Sequence, residues 1–255
     1  MNHVNKTLYI PLYGKALVSK KGIILHDPKA EEIWAAEGFP LKGKARSKWL
    51  AYYMGMRAAV FDRWLTGQME ADPEAVILHI GCGMDSRCSR VGTRGRRWFD
   101  MDFPDVIAER KRYYQEDGDY RMIGTDVTAP GWLDDLPGGR AIVVMEGVSM
   151  YLTPDARTKT LERIAAHFDG VHLLMDCYTT FAARATKYKN PINEVGVTQV
   201  WGMDDPHVLP GFVRELEMTP PELIGQLSGL ERKIFAHVFA GSFAKKLYRL
   251  YEYRR

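Results

Sequence analysis

The sequence predicts an α/β protein built on a doubly wound, mostly parallel sheet. Two observations support this. Short apolar runs alternate with helical segments from residue 73 onward, and the first of these runs ends in a glycine-rich turn. Parallel strands that are buried on both faces have continuous apolar sequences, as these runs do. The chain has 255 residues, enough to bury such a core without disulfide or metal staples.

The first stretch, residues 1–72, has a helical pattern. Aromatic and aliphatic residues recur at three- and four-residue spacing over 31–36 and 48–65, as on an amphipathic helix. Asp72 and Pro73 then interrupt the pattern. We therefore expect a helical N-terminal cover over 1–72, followed by a ligand-binding core over 73–178.

Five apolar runs predict the strands of the core, and helices are expected between them. The runs cover residues 75–80, 97–101, 120–123, 141–145 and 171–175. Segments 104–115 and 154–168 predict helices. The second of these follows Thr153, a good N-cap, and has proline at its first position.

After residue 178 the alternation is lost. Segment 179–210 is too long for an ordinary loop in a compact domain, so we expect an inserted lid that shapes a substrate site. In the last part, 211–255, strands are predicted at 211–218 and 246–253, with a helix at 221–227 between them. All four parts are expected to form one domain.

Composition excludes several classes of protein. Lysine and arginine number 35 against 32 acidic residues, too even a balance for a nucleic-acid binder. Three cysteines without a CxxC pair predict no metal site and no disulfide framework, and they suit a reducing compartment. No signal peptide and no membrane-length apolar run is evident, so we expect a cytoplasmic protein without a membrane partner. The oligomeric state is left open.

The most informative segment is the turn Gly81-Cys82-Gly83 at the end of the first buried strand. Glycines there let the backbone approach a ligand closely. The second strand ends in Asp100 and Asp102 about 20 residues later, where a carboxylate can accept hydrogen bonds from ribose hydroxyls. This geometry fits two nucleotide-type ligands, NAD and S-adenosylmethionine.

Electrostatics separates these two ligands. Ser86 stands where the dinucleotide fingerprint has its third glycine, and Asp85 puts a carboxylate where a pyrophosphate would lie. S-adenosylmethionine carries a sulfonium cation and no phosphate, so a carboxylate-rich rim suits it better. That predicted rim consists of Asp85, Asp100, Asp102, Asp126 and Glu146. The sequence therefore favours S-adenosylmethionine, and an NAD oxidoreductase remains the alternative.

Four segments in fixed order resemble one known family. They are LHIGCGMDSR (78–87), WFDMDFPDV (98–106), GTDVTAPGW (124–132) and MEGVSMYLTP (145–154). Together they look like the leucine carboxyl methyltransferase family, which includes the tetracenomycin-type polyketide O-methyltransferases of bacteria. The resemblance extends from residue 15 to about residue 176.

The resemblance implies a fold and an activity. The fold would be the Rossmann-like, seven-stranded sheet of class I methyltransferases, with a helical N-terminal cover and an inserted lid. The activity would be O-methylation of a hydroxyl or carboxyl group of a small, polyketide-like molecule. Methylation of a protein's C-terminal carboxylate, as in the eukaryotic branch, and a non-catalytic cofactor-binding relative are the alternatives.

The resemblance also implies roles at the methionyl end of the cofactor. Arg57 would hold the methionine carboxylate, for which a guanidinium fork is suited, and Glu146 would lie by the amino group. The assignment of Lys15 to this end of the site has weaker support, because its spacing to His26-Asp27-Pro28 does not fix the alignment. Lys15-Ala16 also stands where bacterial members often show Arg-Ala. His79 occupies a position that is acidic in many class I methyltransferases.

Other matched residues would hold the nucleoside. Gly81 and Gly83 would allow close approach of the cofactor, and Asp102 would accept hydrogen bonds from the ribose hydroxyls. Asp126 and Val127 would flank the adenine, with the carboxylate accepting from its exocyclic amine.

The sequence does not identify a catalytic base. His79, inside an apolar strand, is expected to be a core histidine with satisfied hydrogen bonds, and Asp85 with Arg87 to be a structural pair. Tyr178 and His207, in or beside the expected lid, are possible bases without further support. A carboxylate acceptor would need no base at neutral pH, whereas a phenol would.

Overall fold

The computed structural model describes residues 8–38, 41, 43–185 and 199–255. In this part of the chain seven strands form one sheet in the order β3-β2-β1-β4-β5-β7-β6. Their bounds are β1 (Val76–Ile80), β2 (Trp98–Asp102), β3 (Tyr120–Gly124), β4 (Arg140–Met145), β5 (Gly170–Tyr178), β6 (Phe212–Glu215) and β7 (Tyr248–Arg254). All neighbours pair in parallel except β7, which is antiparallel to both β5 and β6. The predicted fold class is confirmed.

Helices precede, connect and follow these strands. Their bounds are α1 (Tyr9–Lys20), α2 (Pro28–Glu37), α3 (Lys48–Ala71), α4 (Arg87–Val91), α5 (Pro104–Arg110), α6 (Pro154–His167), α7 (Thr180–Ala185), α8 (Pro221–Ile224) and α9 (Gly229–Val238). Short 3₁₀ turns cover Gly43–Arg46, Ser149–Tyr151 and Ala244–Lys246. No helix in the described ranges is both long and apolar enough to cross a bilayer.

The strand order reverses direction at β1, which lies between β2 and β4. In register, Ile80 pairs with Met101 on one side and with Met145 on the other. The residues that follow these three strand ends therefore meet at one edge of the sheet. In open α/β sheets this switch point is where ligands bind.

Alternate residues of β1 belong to different cores, which explains its continuous apolar sequence. Ile77 packs in the core under the N-terminal helices, whereas Leu78 packs in the core on the side of α6. Neither face of the strand is exposed. Every position therefore requires an apolar side chain, or a polar one whose hydrogen bonds are made within the protein.

The N-terminal helices cover one face of the sheet through a close α1–α3 contact. A Cβ atom on Gly14 would lie 2.7 Å from the Cβ of Met54, and one on Gly55 would lie 2.8 Å from a methyl of Val18. Larger side chains would force the two helices apart. These glycines bring the inner face of α1 close to the edge of the sheet where the strand ends meet.

Several expected boundaries differ from the structure. The helix expected at 104–115 ends at Arg110, and that expected at 221–227 is the single turn α8. Helix α9 was not predicted, although Leu230, Ile234 and Val238 recur at four-residue spacing, as on one face of a helix. Of its apolar residues Phe235 is buried, whereas Leu230, Ile234 and Val238 are exposed.

The expected lid at 179–210 is described only in part. It contains α7 and an irregular stretch from residue 199, and residues 186–198 lie outside the described ranges. The proposed division of the chain at 72/73, 178/179 and 210/211 stays a prediction.

Candidate active site

A cavity of 1020 Å³ lies at the edge of the sheet where β1, β2 and β4 end, under α1 and α3. All eight residues that the sequence predicts as cofactor ligands line this cavity. They are Lys15, Arg57, Gly81, Gly83, Asp102, Asp126, Val127 and Glu146. They come from six separate stretches of the chain, so their convergence is a property of the tertiary structure.

The glycine-rich turn has a backbone that other residues tolerate poorly. Gly81 and Gly83 have φ angles of 65° and 49°, in the left-handed region. A Cβ atom on Gly81 would lie 2.2 Å from a methyl of Val148, on the opposite lip of the cavity. The turn is held against β2, because the Gly83 amide donates to Asp102 Oδ2 at 2.8 Å.

Asp102 can accept further hydrogen bonds. Its Oδ1 accepts from the Phe103 amide at 2.8 Å, and its Oδ2 from Gly83. Each carboxylate oxygen keeps a second lone pair for a ligand hydroxyl. Burial raises the pKa of Asp102, although these two amides oppose the shift.

The residues predicted to flank adenine lie at the exposed end of the cavity. Asp126 is exposed, and its Oδ1 accepts from the amide and the hydroxyl of Thr128 at 2.8 and 2.7 Å. The Val127 carbonyl accepts from Thr160 Oγ1 on α6 at 3.2 Å, which ties this loop to the helix below.

Arg57 is held by three protein groups. Its Nε donates to Glu146 Oε1 at 2.9 Å, and its NH1 donates to Asp176 Oδ2 at 3.0 Å and to the Tyr248 hydroxyl at 2.9 Å. Its NH2 makes no hydrogen bond to any described residue. It lies beside Gly147, 3.4 Å from the position that a Cβ atom on Gly147 would occupy. The guanidinium fork expected from sequence is therefore mostly engaged, and a single N–H edge remains for a ligand.

Glu146 is the buried carboxylate for which the sequence predicts a partner, and it has two. Arg57 binds one oxygen, and Arg87 NH2 donates to the other. Burial by itself would raise the pKa of Glu146, but the two guanidiniums outweigh it and lower the pKa to about 2. Glu146 thus stays ionised at the edge of the cavity, with each of its oxygens paired to an arginine.

Asp85 does not act as a free carboxylate of the rim. Lys15 Nζ lies 3.0 Å from its Oδ2, Arg87 NH2 lies 3.3 Å from the same oxygen, and Arg90 NH1 lies 2.8 Å from its Oδ1. Burial favours the neutral acid, but these cations outweigh it and hold the pKa of Asp85 well below its usual range. The expected Asp85–Arg87 pair is present, within a larger cluster that neutralises its charge.

Asp100 does not belong to the rim, contrary to the sequence prediction. It lies two residues before the end of β2, fully buried under α5, and does not line the cavity. The Tyr120 hydroxyl donates to it at 2.6 Å, Trp98 Nε1 donates at 2.8 Å, and Arg110 forms an ion pair with it. Burial opposes ionisation, but Arg110 prevails, and the pKa of Asp100 is lowered.

His79 is a core histidine with both ring nitrogens engaged. An arginine can only donate, so Arg87 NH1 donates to Nε2 at 3.0 Å, and Nδ1–H donates to Asp100 at 3.0 Å. Of the two other possible bases, Tyr178 lines the cavity, whereas His207 is exposed and does not.

The rest of the cavity wall is largely apolar, with contributions from α1, α3, the turn after β4 and the stretch from the end of α9 to β7. Prominent members are Ile10, Leu50, Met54, Val238, Phe239 and Phe243. In the described part of 179–210 no residue lines the cavity. The expectation of a substrate lid there stays a prediction.

Sequence reasoning missed Asp176 and Tyr248, the second and third partners of Arg57. A signal for Asp176 was available, since a carboxylate within an apolar strand requires a partner, as was argued for Glu146. Tyr248 gave no such signal, because tyrosine is common in strands.

The fold is shared with solved structures of low sequence identity. A DUF574 family protein of Streptomyces avermitilis superposes with a TM-score of 0.54 at 10% identity, covering 89% of each chain. A candidate methyltransferase of Thermobifida fusca superposes with a TM-score of 0.51 at 15% identity, covering 87% of this chain and 92% of its own. At these identities the likeness concerns the fold alone.

Sequence similarity is more specific. The chain is 33% identical to the tetracenomycin polyketide synthesis O-methyltransferase TcmP of Streptomyces glaucescens, over 81% of this chain and 77% of that protein. It is also 33% identical to the S-adenosyl-L-methionine-dependent methyltransferase dpfgK of Gibberella zeae, over 86% of this chain and 79% of that protein. The leucine carboxyl methyltransferase family model matches residues 4–165. The chain belongs to the leucine carboxyl methyltransferase family and is an S-adenosylmethionine-dependent methyltransferase.

Proposed function

We propose that this enzyme transfers the methyl group to a hydroxyl or carboxyl oxygen of a small, largely apolar acceptor. One observation carries the proposal: the eight cofactor residues expected from the family line a single cavity whose remaining wall is largely apolar. The O-methyltransferase TcmP, whose name places it in tetracenomycin polyketide synthesis, supports a polyketide-like acceptor.

The methionyl half of the cofactor would lie between α3 and the end of β4. Arg57 NH2 is available for its carboxylate, and the ionised Glu146 suits its ammonium and sulfonium charges. Lys15 contributes indirectly, through the ion pair that keeps Asp85 neutralised beside the turn.

The nucleoside half would lie along the glycine-rich turn. The absence of side chains at Gly81 and Gly83 leaves room against the backbone, and Asp102 keeps lone pairs for two ribose hydroxyls. Asp126 and Val127 line the outer end of the cavity, where the adenine would reach.

The cavity can hold an acceptor as well as a cofactor. Small-molecule pockets span about 300–1,000 Å³, and this one, at 1020 Å³, stands at the upper end. Once the polar residues are assigned to the cofactor, the aliphatic and aromatic wall from α1, α3 and the segment before β7 is left for the acceptor. Such a wall favours an apolar acceptor.

The described residues of the site are suited to orienting and desolvating the reactants rather than to transferring protons. S-adenosylmethionine, when bound, supplies an electrophilic methyl group on a sulfonium. His79 has no free nitrogen, and burial raises the pKa of Tyr53 and Tyr248, so both tyrosines stay protonated. Positioning is therefore the main contribution of the protein. This favours an acceptor oxygen that is already ionised, such as a carboxylate.

We further propose a cytoplasmic location without a nucleic-acid partner. Support comes from three free cysteines, Cys82, Cys88 and Cys177, and from the near balance of 35 basic and 32 acidic residues.

Calorimetric titration with S-adenosylmethionine and with its demethylated product tests the cofactor site. Wild type should bind both, and Arg57→Ala and Asp102→Ala should each bind at least about 10-fold more weakly, since each removes a charged hydrogen-bonding group. Arg63→Ala, which removes an exposed arginine of the same helix α3, is the matched control and should bind as wild type does. Absence of wild-type binding would overturn the proposal.

Transfer of a labelled methyl group across three acceptor panels tests the acceptor class. We expect labelling of aromatic carboxylic acids first and phenols second. Exclusive labelling of peptide C-termini would instead identify a protein carboxyl methyltransferase. Tight cofactor binding without labelling in any of the three panels would overturn the proposed acceptor class.

A further inference from the structure

We propose that Tyr248 is a positioning residue: acting together with Asp176, its hydroxyl fixes the guanidinium of Arg57 in the orientation that receives the cofactor carboxylate. The inference rests on the proposed role of Arg57 and adds a residue of the C-terminal strand to the cofactor site.

Three hydrogen bonds close a ring among these side chains. The Tyr248 hydroxyl donates to Asp176 Oδ2 at 2.6 Å and accepts from Arg57 NH1 at 2.9 Å, while NH1 also donates to Asp176 Oδ2 at 3.0 Å. The directions are fixed, because a guanidinium cannot accept and an ionised carboxylate cannot donate. The ring therefore constrains NH1 from two sides.

The remaining bond of Arg57 completes the constraint. Its Nε donates to Glu146 Oε1 at 2.9 Å, so two of the three guanidinium nitrogens are bound and the plane cannot turn. NH2 then stays beside Gly147, on the wall of the cavity. Without the Tyr248 hydroxyl, NH1 keeps Asp176 as its one acceptor, so NH1 is constrained from one side only.

The three partners of the ring stand on regular elements rather than loops. Arg57 is on α3, Asp176 on β5 and Tyr248 on β7, and β5 and β7 pair directly. Asp176 Oδ1 also accepts from the Gly147 amide at 2.7 Å, so one carboxylate holds both the arginine and the loop beside it. Sites built on such elements keep a ligand geometry closely.

The aromatic ring of Tyr248 is also held. Tyr53 and Tyr178 meet it edge to face, with ring centroids at 6.1 and 4.9 Å. Tyr248 is the first residue of β7, directly after the segment that contributes Phe243 and Leu247 to the cavity wall, and it lines the cavity itself. Tyr248 therefore contributes to the cavity wall proposed for the acceptor and, through its hydroxyl, also contacts the arginine proposed to bind the cofactor.

The pKa of Asp176 distinguishes a positioning role of the Tyr248 hydroxyl from a purely packing role, because a change in packing alone would not shift it. Asp176 faces Arg57 from α3, Glu146 from the end of β4, Tyr248 from β7 and the Gly147 amide. Burial raises its pKa, and the Arg57 charge and the Tyr248 hydrogen bond lower it. Removing the hydroxyl should raise this pKa further, so that Asp176 takes up a proton at a higher pH and releases Arg57.

The experiment is calorimetric titration of the demethylated cofactor over a series of acidic to neutral pH values. Tyr248→Phe should weaken binding about 10-fold at neutral pH. It should also raise the pH below which affinity falls, which is the acid limb of the binding profile. The matched control is Tyr253→Phe in the same strand, because the buried Tyr253 hydroxyl has no hydrogen-bond partner in the described chain. It should leave affinity and pH profile unchanged.

A double-mutant cycle with Asp176→Asn separates positioning from general destabilisation. If Tyr248 acts with Asp176, Tyr248→Phe should cost much less affinity in the Asp176→Asn background than in wild type. Equal losses in the two backgrounds, or an unshifted acid limb, would overturn the inference. Arg57→Ala tests the proposed cofactor role of Arg57, on which the inference rests. If this variant binds the demethylated cofactor as tightly as wild type, that role is wrong and the inference fails with it.

Discussion

At the residue scale, the site depends on which buried charges have partners. That Glu146 needs a partner follows from its place at the end of an apolar strand, since glutamate is rarely buried alone. The identity of the partners, Arg57 and Arg87, does not follow, because they lie 89 and 59 residues away along the chain. Asp85 shows the same limit: the sequence places it at the rim but cannot show that Lys15 neutralises it.

Gly81→Ala should destabilise the protein by about 3 kcal/mol, through left-handed strain plus a steric clash with Val148. Gly38→Ala is the matched control, because Gly38 is also in the left-handed region, with φ 58° and ψ 38°, but has no atom within 4 Å of its would-be Cβ. It should lose only about 1 kcal/mol, from strain alone. Urea unfolding measures both, and equal losses would contradict the clash.

At the element scale, the residue that caps the start of a helix is also linked through ion pairs to the candidate site. The periodic pattern predicts a helix over 31–36, but α2 begins at Pro28, because Asp27 caps it by accepting from the Ala30 amide at 2.9 Å. The same Asp27 is fully buried and lies 2.6 Å from Arg90, which in turn holds Asp85. The start of α2 is thus tied to the glycine-rich turn.

Asp27→Ala should therefore cost about 3 kcal/mol of stability, since it removes both a cap and a buried counter-ion. Thr153→Ala, at the exposed N-cap of α6, removes a cap alone and should cost about 1 kcal/mol. Thermal and urea unfolding compare the two variants. If the two lose the same amount, the ion pair with Arg90 contributes nothing.

At the scale of the whole molecule, the net charge of +3 says little about the protein, because the decisive charges are paired and buried. Lys15 on α1, Asp62 on α3 and Arg87 on α4 belong to one cluster that also includes Asp85 and Glu146. This cluster joins the N-terminal cover to the cofactor edge of the sheet.

The cluster predicts loss of stability in acid. The folded pKa of Glu146 is about 2 against an ordinary 4.5, so the unfolded chain binds a proton first as the pH falls. The stabilisation from Glu146, about 3 kcal/mol, should be complete above pH 4.5 and lost between about 4.5 and about 2.

Urea unfolding at several pH values checks this loss. Glu146→Gln should be less stable than wild type at neutral pH and should lose less stability on acidification. Glu162→Gln, at an exposed site on α6, is the control and should follow wild type. A Glu146→Gln curve that runs parallel to wild type would contradict the assigned pKa.

The amino-acid sequence by itself determined the parallel sheet, the glycine-rich turn and the family, and through the family it named eight of the residues that line the cavity. The sheet and the turn follow from local patterns, because strand burial and turn conformation are properties of neighbouring residues. Tertiary structure alone decided that Asp100 is buried under α5, that Asp85 is neutralised and that Tyr248 meets Arg57. These depend on which distant side chains share a low-dielectric space, and nothing in the local pattern of one segment specifies its partners in another.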